Sequence, residues 1–183
     1  MSRIADIRPE TLTPDQRTVY DAMVAGPRGR VQGPLRVWLT SPVLADKTQA
    51  LGAFCRFGTS LPPRLSELAI LVTGAHWKAG FEWFVHAPIG IAAGLNAHDV
   101  EIIRVGGVPK FARDDEAVVY AFASEIWQTK RVSAATYARA VALFGEKTVV
   151  ELTNLIGYDG IVSMTINVFE LSVPAGEADP FAA

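Results

Sequence analysis

The chemistry-bearing side chains of this chain gather in one short stretch. "HWKAGFEWFVHA", His76 to Ala87, holds two of the three histidines and two of the four tryptophans. From Ala79 to Ala97 the only ionisable side chains are Glu82 and His86. They stand four residues apart, so a helix through Phe81–Gly94 carries both on one face. Its other faces carry Phe81, Trp83, Phe84, Ile91 and Ala92, and a helix apolar all round is buried. A buried carboxylate beside an imidazole can hold or relay a proton near neutral pH. The same pair could equally be structural, with Glu82 fixing the ring in the core.

Glu67 is the next candidate, because the eight residues after it carry no charge. Taken alone, it reads better as a first-turn carboxylate paired with Arg64. His98 reads as an exposed residue in the first turn of a helix. His76 could join Glu82 and His86 around a metal, but Glu-x-x-x-His supplies two ligands where a site needs three or four. No metal is expected. Cys55 is the single cysteine; it has no internal disulfide partner and reads as a small buried hydrophobe. Trp77 and Trp83 read as core or pocket wall. Tyr158, in "LIGYDG", could reach a pocket but suits the core.

The elements that must position these residues read as helices. "TPDQ" at Thr13–Gln16 is a capping box with proline at the first helical position. Ser41 and Pro42 open a second helix, and prolines open "LPPRLSELAILVTGAHWKA". Gly80 is expected to separate that helix from the next, and Pro88 to kink the latter beside His86. Asn96 and Ser133 are N-cap candidates, and "DDEAVVYAFASEIWQT" places acids in its first turn. "KTVVELTNLIGYDGIVSMTINVFEL" is rich in β-branched residues, but no partner strand is evident. It is read as helix, bent near Gly157 and Gly160. Gly26–Pro34 is a loop that could line a site, and the tail from Pro174 is expected to fray. The fold class is all-α, seven or eight helices in a single domain over 1–183, with the core at about 35–172.

Bulk properties exclude several classes. The 183 residues carry a formal charge of -2, and "PRGR" at Pro27–Arg30 reads as a turn, so no nucleic-acid partner is expected. No apolar run approaches the ~18 residues of a spanning helix and the N-terminus lacks a signal-peptide core, so no membrane partner is expected and a cytoplasmic location is. Half the residues are hydrophobic and mean hydropathy is +0.23, which favours a homo-oligomer.

"LPPRLSELAILVTGAHWKAGFEWFVHAPIGIAAGL" resembles the carboxymuconolactone decarboxylase family, within the alkyl hydroperoxidase D-like superfamily. The likeness extends upstream through "GPLRVWLTSPVLADKTQALGAFCRF" and downstream to "NLIGYDGIVSMTINVFEL". It implies an all-helical fold assembling as trimers or hexamers, with sites near subunit interfaces. In the peroxidase branch, an upstream glutamate, a CxxC pair and a following histidine form a proton relay. Glu67 and His86 match the glutamate and the histidine; Ala79 and Glu82 stand at the two cysteine positions. CxxC peroxidase activity is therefore not expected. The resemblance places Glu67 in the same pocket as His86.

The implied activity is decarboxylation of a small cyclic carboxylated substrate without a cofactor, of the kind used in aromatic-compound catabolism. Glu67, Glu82 and His86 would be catalytic. Arg64, Trp77, Phe81, Trp83 and Tyr158 would bind the small-molecule substrate, with Arg56 a second choice for its carboxylate. An isomerase or hydrolase of the same fold, or a non-enzymatic oligomeric ligand-binding protein, are the competing readings.

Overall fold

The computed structural model describes residues 2–5 and 7–182. A short 3-10 turn, Pro9–Thr11, precedes eight helical elements. They are α1 (Pro14–Ala25), α2 (Pro34–Trp38), α3 (Pro42–Phe57), α4 (Pro63–Trp77), α5 (Gly80–Ala92), α6 (Ala97–Arg104), α7 (Asp114–Thr129) and α8 (Ala134–Val168). No strand occurs among the described residues. No helix is long and apolar enough to cross a membrane among them.

Proline opens α1, α2, α3 and α4, where its missing N–H leaves no helical bond unmade. The expected capping box is present: Thr13 accepts from the Gln16 N–H while Gln16 accepts from that of Thr13. Asn96 and Ser133 cap α6 and α8. Ser41 makes no side-chain cap on α3.

The centre of the molecule is α4, buried without interruption from Arg64 to Gly74. It packs against α5, α7 and α8, while α3 packs against α8 and α1. The turn into α5 is made by Lys78, in the left-handed region at φ 49, rather than by Gly80. Gly80 opens α5 instead, and a Cβ there would lie 2.3 Å from an Asp179 carboxylate oxygen. The helix continues through Pro88, whose ring is exposed.

The β-branched segment is helical. The non-helical residue of α8 is Gly145, with φ 78 and ψ 159, ahead of this segment, and the expected bend near Gly157 and Gly160 is not found. Gly160 serves packing: a Cβ there would meet the Trp127 ring at 2.7 Å. The tail beyond Pro174 carries no helix, yet it is docked rather than frayed. Arg104 donates to the Pro180 carbonyl at 2.5 Å, and the Phe181 ring meets Trp83 edge-on at 5.5 Å. Those contacts give the non-helical tail apolar and polar partners on α5 and α6.

Candidate functional site

Helices α4 and α5 form an antiparallel hairpin that brings Glu67 against His86. Close approach depends on Gly90, where a Cβ would lie 2.9 Å from Leu95 and 3.4 Å from the Glu67 Cβ. His86 Nδ1 is 2.7 Å from Glu67 Oε2. Its Nε2 is 3.2 Å from Glu82 Oε1, one turn earlier on α5. All three residues are buried, at 4 to 6 % exposure. The imidazole is hydrogen-bonded to Glu67 through Nδ1, and its Nε2 faces the Glu82 carboxyl.

Glu82 and His86 open onto a cavity; Glu67 stands behind the ring and lies 3.9 Å from Arg56 Nε. The cavity has a free volume of about 60 Å³. One wall comes from α3 as Gly52, Cys55 and Arg56, and another from α8 as Leu155, Tyr158, Asp159 and Val162. The α8 residues recur at the i, i+3, i+4, i+7 spacing of one helical face. Trp38 of α2 completes an apolar side with Leu35, Ile70 and Phe81. It is held by a 3.0 Å bond from its Nε1 to Thr165. Arg28 and Gln32 bring the Gly26–Pro34 loop onto the rim.

Of the expected substrate-binding residues, Phe81 and Tyr158 line this cavity; Arg64, Trp77 and Trp83 do not. Arg64 is engaged by Asp115 at 2.7 Å and by Glu116, which neutralise it across α7. Neither Glu67 nor the cavity uses it. Trp77 packs edge-on against Trp127 and His76, and Trp83 is covered by Phe181. The cations at the cavity are Arg28 and Arg56 instead.

Asp159 is the residue that sequence reading passed over. It is 4 % exposed, and its Oδ2 is buried with no hydrogen-bond partner. Burial raises its carboxyl well above the ordinary range; the charges of Glu82 and Glu67 add to this against Arg28 and Arg56. The available signal was an acid one residue from Tyr158 on the apolar face of α8. Burial likewise pushes the Cys55 thiol up to about 11 and raises the Tyr158 phenol. Among the described residues no group of three or more His, Cys, Asp or Glu is placed to hold a metal ion.

No protein-family model and no curated protein matches the chain. Solved structures do. The debrominase Bmp8, in complex with 2,3,4-tribromopyrrole, superposes with a TM-score of 0.75 at 14% identity, covering 96% of this chain and 95% of that one. The fold is alkyl hydroperoxidase D-like. A protein of unknown function from Agrobacterium tumefaciens, described as a putative antioxidant defence protein AhpD, gives 0.66 at 16% identity over 79% of this chain and 99% of its own. An uncharacterised peroxidase-related protein from Silicibacter sp. TM1040 gives 0.75 at 12%, covering 95% of this chain and 92% of that one. At such identities the likeness speaks for the fold.

Proposed function

We propose that this chain is a carboxymuconolactone decarboxylase-like enzyme that moves protons at a small cyclic carboxylated substrate without a cofactor. The observation that carries this reading is the Glu67–His86–Glu82 chain, hydrogen-bonded at Nδ1, with the Glu82 carboxyl 3.2 Å from Nε2, and open to a cavity at one end. In the reaction, the bond from the ring carbon to its carboxylate breaks and carbon dioxide leaves. The electron pair passes through the ring double bond to the lactone carbonyl. A proton from His86 then reaches carbon, and a second proton, taken up from solvent through Glu82 at the cavity face, recharges the imidazole, with Glu67 orienting the ring. The apolar wall of Trp38, Leu35 and Phe81 favours dispersed over localised negative charge. Arg56 supplies a cation for the carboxylate.

A free volume of about 60 Å³ is below the ~150 Å³ that admits benzene to an apolar cavity. Binding a ring therefore requires the wall to move, and the segment 26–33 is its non-helical part. That Bmp8 is seen with a small halogenated ring agrees with a ring-sized substrate here. Thiol chemistry is not part of the proposal, because Cys55 is the single cysteine and its thiol is pushed up to about 11. The same reading assembles the chain as a homo-oligomer.

The test is loss of γ-carboxymuconolactone, followed by ultraviolet absorbance, with wild type, His86→Ala and Glu82→Gln. Turnover by wild type with a ~10²-fold or larger fall in His86→Ala is expected for loss of a general acid. No turnover by wild type removes this substrate. Full turnover by both variants removes the relay.

A further inference from the structure

Two orphaned polar atoms share the cavity that contains His86. The Arg28 Nε is buried without a hydrogen-bond partner, and so is the Asp159 Oδ2. Both residues line the cavity, Arg28 from the loop and Asp159 from α8. Buried polar atoms without partners are rare, and one that belongs to a charged group is the costliest kind. A ligand oxygen seated between the loop and α8 would satisfy both.

The backbone has been cleared for this arrangement. A Cβ on Gly52 would lie 2.0 Å from the Tyr158 hydroxyl and 2.6 Å from Arg28 Nη2. Only glycine lets α3 approach these two groups so closely. Arg28 Nη2 in turn lies 3.4 Å from the Tyr158 hydroxyl. The guanidinium is thereby held by one edge while its Nε–H stays unused.

We infer that Arg28 and Asp159 together hold one anionic oxygen of the ligand, Arg28 through its Nε–H and Asp159 through a hydroxyl proton. Asp159 faces a crowded field. Glu67 approaches from α4, Glu82 and His86 from α5, Cys55 and Arg56 from α3, Tyr158 from its own helix and Arg28 from the loop. An ionised carboxylate with a bare buried oxygen would be strongly disfavoured there. As a neutral acid it becomes a donor, and a donor beside an arginine N–H calls for an acceptor oxygen. The ligand class is a small ring bearing a carboxylate or an enolate. The site rests on the proposed function only for which substrate atom it holds: the carboxylate at rest, or the lactone oxygen as it gains charge.

Binding of furan-2-carboxylate to the full chain at neutral pH, measured by titration calorimetry, tests this without any turnover. Wild type is expected to bind. Asp159→Asn keeps affinity within about threefold, because its amide N–H replaces the acid's, whereas Asp159→Ala and Arg28→Gln each lose about tenfold or more. Tenfold tighter binding by Asp159→Asn would show a charged aspartate repelling the anion and overturn the inference. Equal binding by Asp159→Ala, or none by wild type, overturns it too. Where Asp159→Ala does not fold, the infrared spectrum decides. A protonated-carboxyl stretch present in wild type and absent from Asp159→Asn supports the inference, and its absence from wild type overturns it. Failure of the lactone assay leaves these outcomes unaffected.

Discussion

His86 is hydrogen-bonded to Glu67 through Nδ1 at 2.7 Å, and its Nε2 lies 3.2 Å from Glu82. Glu67 orients the ring from behind, and Glu82 shares the cavity face with it, which suits a proton handed from carboxyl to imidazole to substrate. Asp159 belongs to the same pool but acts on stability with a definite sign. Burial first, then Glu82 and Glu67, raise its carboxyl in the folded chain. The unfolded chain releases that proton near the ordinary aspartate value of ~3.9. Above that value, up to the raised one, the unfolded state binds fewer protons, so stability falls as pH rises. Asp159→Asn removes this contribution. Urea unfolding should show the variant gaining on wild type from pH 4.5 to pH 7.5; a difference independent of pH would contradict the burial account.

At the level of elements, α3 and α8 meet where Gly52 faces Tyr158 and Arg28. Gly52→Ala forces the hydroxyl and guanidinium away, while alanine adds up to ~1 kcal/mol of helix propensity. Melting temperature should change little while furan-2-carboxylate binding falls about tenfold; unchanged binding would show the close approach to be unimportant. Much at this scale was legible in the chain. The Thr13–Gln16 box and the helix-opening prolines follow from local rules of capping and backbone freedom. The Glu82–His86 pair follows from helical spacing. The reach of Glu67 to His86 depends on how two antiparallel helices cross, which spacing along one helix does not encode. Arg64 was read as a partner for Glu67 or for substrate; its partners Asp115 and Glu116 lie some fifty residues on. Asp159 sits beside Tyr158 on the apolar face of α8, and its burial comes from α3 and the loop closing over that face, which spacing along one helix does not encode. The tail's docking depends on Phe181 finding Trp83, a contact between distant segments.

For the whole molecule, apolar side chains remain on the outside of the two helices that wall the cavity. Leu51 and Phe54 of α3 and Val150, Ile161, Met164 and Val168 of α8 are exposed, and Leu51, Phe54 and Val150 line one surface groove. Exposed apolar area of this kind marks contact surfaces. The proposed homo-oligomer would cover it, and sedimentation velocity should find a species larger than the 19.7 kDa chain; a monomer at micromolar concentration would contradict that. The central claim is that His86, poised between two carboxyls, delivers a proton to carbon as carbon dioxide leaves. Its most direct measurement is deuterium uptake into product during γ-carboxymuconolactone turnover in D2O, read by mass spectrometry for wild type and His86→Ala. The relay predicts one solvent deuteron on carbon for each carbon dioxide released by wild type, with both falling together by ~10²-fold or more in the variant. Equal release and equal uptake in His86→Ala would contradict it.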